Sequence, residues 1–231
     1  ATASPRWSVA DQVGHLTYFD NTAAMAITDP DGFTALVQEL LGAIVDDEES
    51  GDDLTLGEYR AMTPTELLDA WRANRKLLAD ASATLEEDTR VVWYGPSMGS
   101  KSFLTARLME CWAHGQDIVD VVGASRANTD RLRHIAQLGF ITRGWTYVNR
   151  GLEAPDVPVR VELTAPSGDT WTFGPDDAAE SITGSADDFC LVVTQRRHVN
   201  STGLVVEGDS AREWMELAQA FAGPATDGPT A

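Results

Sequence analysis

Glu110, His114 and Asp117 lie four and three residues apart in the stretch "RLMECWAHGQDIVD", residues 107–120. On a helix that spacing aims all three from one face. The residues around them, Leu108, Met109, Cys111, Trp112, Ile118 and Val119, are of the kind that fill a core. A glutamate and a histidine at i and i+4 can offer a carboxylate oxygen and an imidazole nitrogen to one ion, and helical bundles host metals in this way. A buried charge without a partner is costly, and a divalent metal is a common compensation. The same spacing also occurs in solvated pairs on helix surfaces. Two ligands do not make a site, so a third must come from another helix.

The chain holds four histidines, His15, His114, His134 and His198. His15 lies on or beside the apolar stripe of the first expected helix, from which an antiparallel bundle could bring it across. His134, just after Arg131 and Arg133, reads as a surface residue, and His198 as a loop edge. Two histidines and a carboxylate leave coordination positions open, as catalytic zinc and non-haem iron sites do. Asp117, one turn beyond His114, could ligate or could orient that ring.

The elements that must position these residues are mainly helices. Ser8 is an N-cap candidate for a helix with Val9, Val13, Leu16, Phe19, Ala23 and Ile27 on one stripe, closed by Asp29-Pro30. A second helix is expected over Gly32–Val45, followed by the acidic "DDEESGDD" as a solvated loop. "TPTE" at 63–66 signals a capping box, and its helix runs through Leu67, Leu68, Trp71 and Leu77 to about Leu85. The aromatic loop "VVWYGPSMGSKSF" could wall a cleft or close one end of a bundle. A long helix then spans about Ser102–Val122 with Gly123 as its C-cap, and another spans about Thr129–Asn149 and stops at Gly151.

Beyond "APDVP" the pattern changes. "VRVELTAPSGDTWTF" alternates about a Ser-Gly turn like a β-hairpin. A helix at "SADDFCLVVTQRR", a strand at "GLVVEG" and a helix at "SAREWMELAQAFA" follow. The expected architecture is a helical bundle over residues 1–152, a small α+β domain over 153–223 and a flexible tail over 224–231.

With 17 Lys and Arg against 36 Asp and Glu, the formal net charge is −19, which disfavours nucleic acid and anionic membrane surfaces. At 43% hydrophobic, the chain is rich enough in apolar residues for a substantial core. Its two cysteines, Cys111 and Cys190, sit in apolar runs without a CxxC or disulfide framework, which suits reduced thiols in the cytoplasm. No stretch resembles a signal peptide or a membrane span.

"WSVADQVGHL" at 7–16 together with "RLMECWAHGQDIVD" resembles the two ligand-bearing helices of the DinB-like superfamily. The closer likeness is to its actinobacterial branch, the mycothiol-dependent maleylpyruvate isomerase-like proteins. "FCLVVTQRRHVNSTGL" and "AQAFAGP" resemble the small C-terminal domain of that branch. The resemblance implies a DinB-like four-helix bundle with a small C-terminal α+β domain, and a metal triad at His15, Glu110 and His114. It implies zinc, or nickel or another divalent metal, and mycothiol or a related thiol as cofactor. Thiolate addition to an electrophilic double bond would give cis–trans isomerisation, and retention of the sulfur would give an S-conjugate. A basic residue of the C-terminal domain that faces the metal cleft falls on Arg196, with Arg197 as its rival; an arginine there can also simply close the preceding helix. The implied partner is a small, carboxylate-bearing molecule, with a homodimer as a further expectation. The same open metal site would also suit a hydrolase or lyase that uses water, or a metal- or ligand-binding protein without catalysis.

Overall fold

In the computed structural model, which describes residues 1–43, 48–95 and 97–230, the chain divides into two compact units, Ala1–Ala124 and Ser125–Ala231. The first is helical and is organised around α1 (Val9–Thr28). Ser8 caps this helix: its hydroxyl accepts from Asp11 N while Asp11 Oδ2 accepts from Ser8 N at 2.8 Å. The expected one-sided stripe is only part of what α1 buries. Neighbours surround it, so Asp11, Gln12, Thr17 and Asp20 are buried as well as Leu16, Ala23, Ala24 and Ala26. Small residues allow this close approach, and a Cβ on Gly14 would stand 3.0 Å from Tyr59 Cβ.

After Asp29 the chain turns into α2 (Pro30–Ala43); the expected last residues of that helix, Ile44 and Val45, lie outside the described residues. The acidic stretch read as a loop is a helix from Glu48 onward, α3 (Glu48–Arg60), while Asp46 and Asp47 are outside the described residues. Its helical character comes from its second half, where Leu56 and Tyr59, three residues apart, are both buried. Its acids are not merely solvated: Asp52 accepts from Trp7 Nε1 at 3.1 Å, and Asp53 accepts from Arg60 at 3.2 Å.

The Thr63–Glu66 capping box starts α4 (Pro64–Ser82), which ends a turn earlier than its pattern suggested. Leu67 is buried there, whereas Leu68 and Leu77 face outward. Two short antiparallel strands, β1 (Arg90–Val91) and β2 (Met98–Gly99), close the aromatic loop. Within it Trp93 stacks on Phe33 with ring centroids 5.5 Å apart, so the loop seals a bundle core that also contains Phe103. The long helix α5 (Ser100–Val122) follows and ends at Gly123, whose φ of 64° is the left-handed stop expected of a C-cap glycine.

The second unit begins before the expected boundary at 152/153. The helix expected over 129–149 is two, α6 (Leu132–Ile141) and α7 (Arg143–Val148), broken at Thr142. Rather than extending the first unit, α6 packs on α8 (Ala186–Val193). Contact is tight at Gly139, where a Cβ would meet Val193 Cγ2 at 2.7 Å.

The expected hairpin is β3 (Val159–Thr164) and β4 (Thr170–Phe173). A strand the sequence did not signal, β5 (Glu180–Ser185), pairs parallel to β3. It is short, rich in Ser and Thr, and buries only Ile182 fully, so it carries little alternation to read. With β6 (Val205–Glu207) the sheet order is β4-β3-β5-β6. Trp214 of α9 (Asp209–Leu217) is fully buried, and α9 stops short of the expected "AQAFA".

The flexible tail expected from residue 224 is held by hydrogen bonds at its start. Gln219 Nε2 donates to Pro224 O at 3.1 Å, Gln195 Nε2 donates to Thr226 O at 2.9 Å, and Thr226 N donates to Gln219 Oε1 at 3.2 Å. Polar side chains capture backbone here, a kind of anchoring that leaves no apolar pattern in the sequence. Among the described residues no helix is long and apolar enough to cross a membrane.

Candidate metal centre

α1 and α5 pack together, and each brings one histidine to the same point. His15 lies two turns into α1; Glu110 and His114 lie on one face of α5. Both histidine Nε2 atoms approach the same carboxylate oxygen, Glu110 Oε2, at 3.5 Å from His15 and 3.1 Å from His114. The ring centroids of the two histidines are 4.3 Å apart. One ligand atom from each of the three residues lies within 4.8 Å of the others. Such convergence of imidazole nitrogens on a carboxylate needs a hydrogen on each facing nitrogen or a cation between them.

The surroundings are restrictive. His114 is 8% exposed, and its side-chain neighbours are mostly aromatic or buried. Trp7, just ahead of α1, packs its ring against both histidines, 5.0 Å from His15 and 5.9 Å from His114 between centroids. Phe19, one turn after His15, packs against that ring with centroids 4.5 Å apart. Burial pushes the Glu110 carboxyl pKa up, but hydrogen bonds and charge from His114 and His15 outweigh it, holding the group well below the ordinary carboxylate range. The carboxylate is therefore present as an anionic donor at neutral pH.

Two residues that sequence reasoning passed over complete the arrangement. Gln12, fully buried on α1, places Oε1 in close contact with His114 Nδ1, the edge away from Glu110. Its amide nitrogen donates to Thr2 Oγ1 at 2.9 Å and to Ser4 Oγ at 3.0 Å. The signal was present in "DQVGH", since Gln12 and His15 are three residues apart on one helix, but an interior glutamine does not announce a partner 102 residues away. Trp7 was equally hidden, because it precedes the helix.

Asp117 is 3% exposed, and its Oδ2 lies 3.7 Å from His114 Nδ1. It is thus on the Nδ1 side of the ring, outside the converging set, and beyond hydrogen-bond length. One turn before Glu110, Arg107 forms a buried ion pair with Asp20 at 3.1 Å and lies over Phe19 and Trp93. Cys111 is a neighbour rather than a member: its sulfur accepts from Arg75 Nη1 at 2.9 Å.

Arg196 and Arg197 belong to the second unit, on the turn after α8, and both are half-buried. Gln195 there has φ 58°, and the backbone N–H groups of Arg196 and Arg197 both donate to Leu191 O, which closes the helix. Arg196 Nη1 donates to Thr194 O at 2.7 Å, as expected of an arginine at a helix end. His134 is exposed, and His198 Nδ1 accepts from Asn200 N; neither joins the cluster.

Residues 1–119 match the family model of the mycothiol maleylpyruvate isomerase N-terminal domain, and residues 155–206 match the model named for wyosine base formation. Two Mycobacterium tuberculosis proteins of uncharacterized function are each 44% identical over 223 residues: Rv0036c of strain ATCC 25618 / H37Rv and MT0041 of strain CDC 1551 / Oshkosh. Each alignment covers 96% of this chain and 85% of the relative. Among solved structures, the mycothiol-dependent maleylpyruvate isomerase is similar with a TM-score of 0.50 at 17% identity, and a histidine-to-alanine variant of it with 0.53 at 16%. Both similarities cover 89% of this chain and 80% of the other, and at that identity they speak for the fold. The family model, which spans more than half of the sequence, carries the assignment: the chain belongs to the mycothiol maleylpyruvate isomerase N-terminal domain family.

Proposed function

We propose that the protein is a divalent-metal-dependent enzyme of the mycothiol-dependent isomerase or S-transferase type, acting on a small electrophile. The observation that carries this reading is the convergence of His15 Nε2, His114 Nε2 and a Glu110 oxygen from two helices. Two imidazoles and one carboxylate fit zinc or a neighbouring divalent metal and leave coordination positions for another ligand. A divalent ion held there favours the thiolate form of a coordinated thiol, which is the nucleophilic form.

The chain's own residues supply the rest. His15, Glu110 and His114 fix the position of the charge, and the Glu110 carboxylate offsets part of it. Trp7 and Phe19 limit water around the two rings. Asp117 sits behind His114, on the Nδ1 side of its ring. The fork of Arg196 or Arg197 is the candidate grip for a substrate carboxylate, because planar guanidinium matches that group in two-point contact. With a net charge of −19, a small molecule suits the chain better than a nucleic acid, and a cytoplasmic setting suits its two free cysteines.

Cobalt substitution tests the thiol part of this reading. Adding mycothiol to the cobalt form should produce a sulfur-to-metal charge-transfer band, and mycothiol-dependent turnover of maleylpyruvate is assayed on the zinc form. A cobalt spectrum unchanged at saturating mycothiol would overturn thiol activation and favour water-based hydrolase or lyase chemistry.

A further inference from the structure

We propose that Gln12 is the positioning residue that makes His114 a metal ligand through Nε2, and that it ties the segment ahead of α1 to that ligand. The proposal rests on the metal reading above and adds a role that neither the motif nor the triad assigns.

The hydrogen-bond directions follow from chemistry alone. Thr2 has one hydroxyl proton, and it donates to Trp7 O at 3.0 Å. Towards Gln12, Thr2 Oγ1 can therefore only accept, so the Gln12 atom facing it must be the amide NH2. Ser4 Oγ takes the second hydrogen of that NH2. The carbonyl oxygen is then forced to face His114, and since an amide oxygen only accepts, Nδ1 must carry the proton. With its proton held on Nδ1, a neutral His114 ring offers the Nε2 lone pair to an ion seated between it and Glu110 Oε2; with no ion there, a second proton on Nε2 takes that place and donates to the carboxylate. Every polar atom of a fully buried side chain is thereby used.

Asp117 was the other candidate for this task. Its Oδ2 is 3.7 Å from the same Nδ1, too far to take the proton, so the orientation of the ring falls to Gln12. The chain of donors from His114 through Gln12 to Thr2 and Trp7 O also has a mechanical meaning. The backbone that Thr2 holds belongs to Trp7, whose ring packs on both histidines. Ring orientation and aromatic cover are thus fixed by one amide.

The experiment measures zinc and cobalt affinity by chelator competition for wild type, Gln12→Leu and Gln12→Glu, with melting temperatures of the metal-free chains as controls. Leucine keeps the volume but removes the acceptor, and affinity should fall about 10- to 100-fold, the usual effect of losing such a partner. Glutamate keeps an acceptor at Nδ1, and the Thr2 and Ser4 hydroxyls can turn to donate to its second oxygen, so affinity should stay within about threefold of wild type. A structural role alone would follow packing, with leucine tolerated; leucine binding metal as tightly as wild type would overturn the proposal, as would glutamate failing as badly as leucine. A second measurement needs no variant. In the zinc-loaded wild type, 15N spectra of labelled histidine should show His114 protonated at Nδ1 and coordinated at Nε2, and coordination at Nδ1 would overturn it. A wild type that takes no ion defeats the metal reading itself, whereas an intact wild-type site with an indifferent Gln12 defeats this inference alone.

Discussion

Replacing Arg107 by methionine strands the Asp20 carboxylate inside the first unit. The side chains of the pair are 7% and 6% exposed, and the contact is 3.1 Å. At that distance the attraction is worth about 5 kcal/mol with an effective dielectric of about 20. Removing each ion from water costs several kcal/mol, so the intact pair comes close to break-even against an apolar pair of similar size. The pair is also incompletely served, since the buried Arg107 Nε has no hydrogen-bond partner among the described residues. Arg107→Met or Asp20→Leu alone should therefore destabilise by about 3–5 kcal/mol, because each leaves a lone charge behind. The double replacement should recover most of that loss, since the cavity walls are Phe19 and Trp93 and receive methionine readily. Urea unfolding followed by far-UV circular dichroism reads the three values, and the double-mutant cycle isolates the coupling. If each single replacement cost less than about 1 kcal/mol, as solvated ion pairs do, the premise of a dry pair one turn from Glu110 would be wrong.

Further outcomes follow from other contacts. Glu110→Gln keeps the shape but removes the anionic donor, so metal should be lost at chelator concentrations that leave wild type loaded, as dialysis and elemental analysis will show. Asp11 carries a pH signature: burial raises its pKa, but hydrogen bonds from Ser8 and Arg60 outweigh this and leave it below 3.8. A depressed folded-state pKa stabilises above the unfolded value and is lost as pH falls through the folded value, so the advantage of wild type over Asp11→Asn should shrink below about pH 4 in urea titrations. Gly14→Val should cost about 1–3 kcal/mol by overpacking against Tyr59, read as a lower urea midpoint, while an unchanged midpoint would mean that α1 and α3 are not in contact there.

What could be read in the sequence was whatever local chemistry writes within a few residues. The N-cap at Ser8, the capping box at Thr63–Glu66, the stop at Gly123 and the β3–β4 hairpin are of this kind, and the structure contains each. The three candidate ligands were also legible, because Glu110 and His114 share a helix face and few histidines competed to join them. Long-range partnership was not legible. The acidic run hid α3 because its helix depends on Leu56 and Tyr59 meeting α1. The break at Thr142 and the strand β5 are set by packing and pairing within the second unit, not by local pattern. Gln12 looked like any polar residue near a helix start until its partner arrived from α5.

Elemental analysis of the untagged chain, purified from cells grown with ample zinc and nickel, bears most directly on the site at His15, Glu110 and His114. The expected result is one divalent ion per chain in wild type, lost in His15→Ala and in His114→Ala while both variants keep their helical circular dichroism. A wild-type chain that emerges without metal, or variants that retain it in full, would contradict the account.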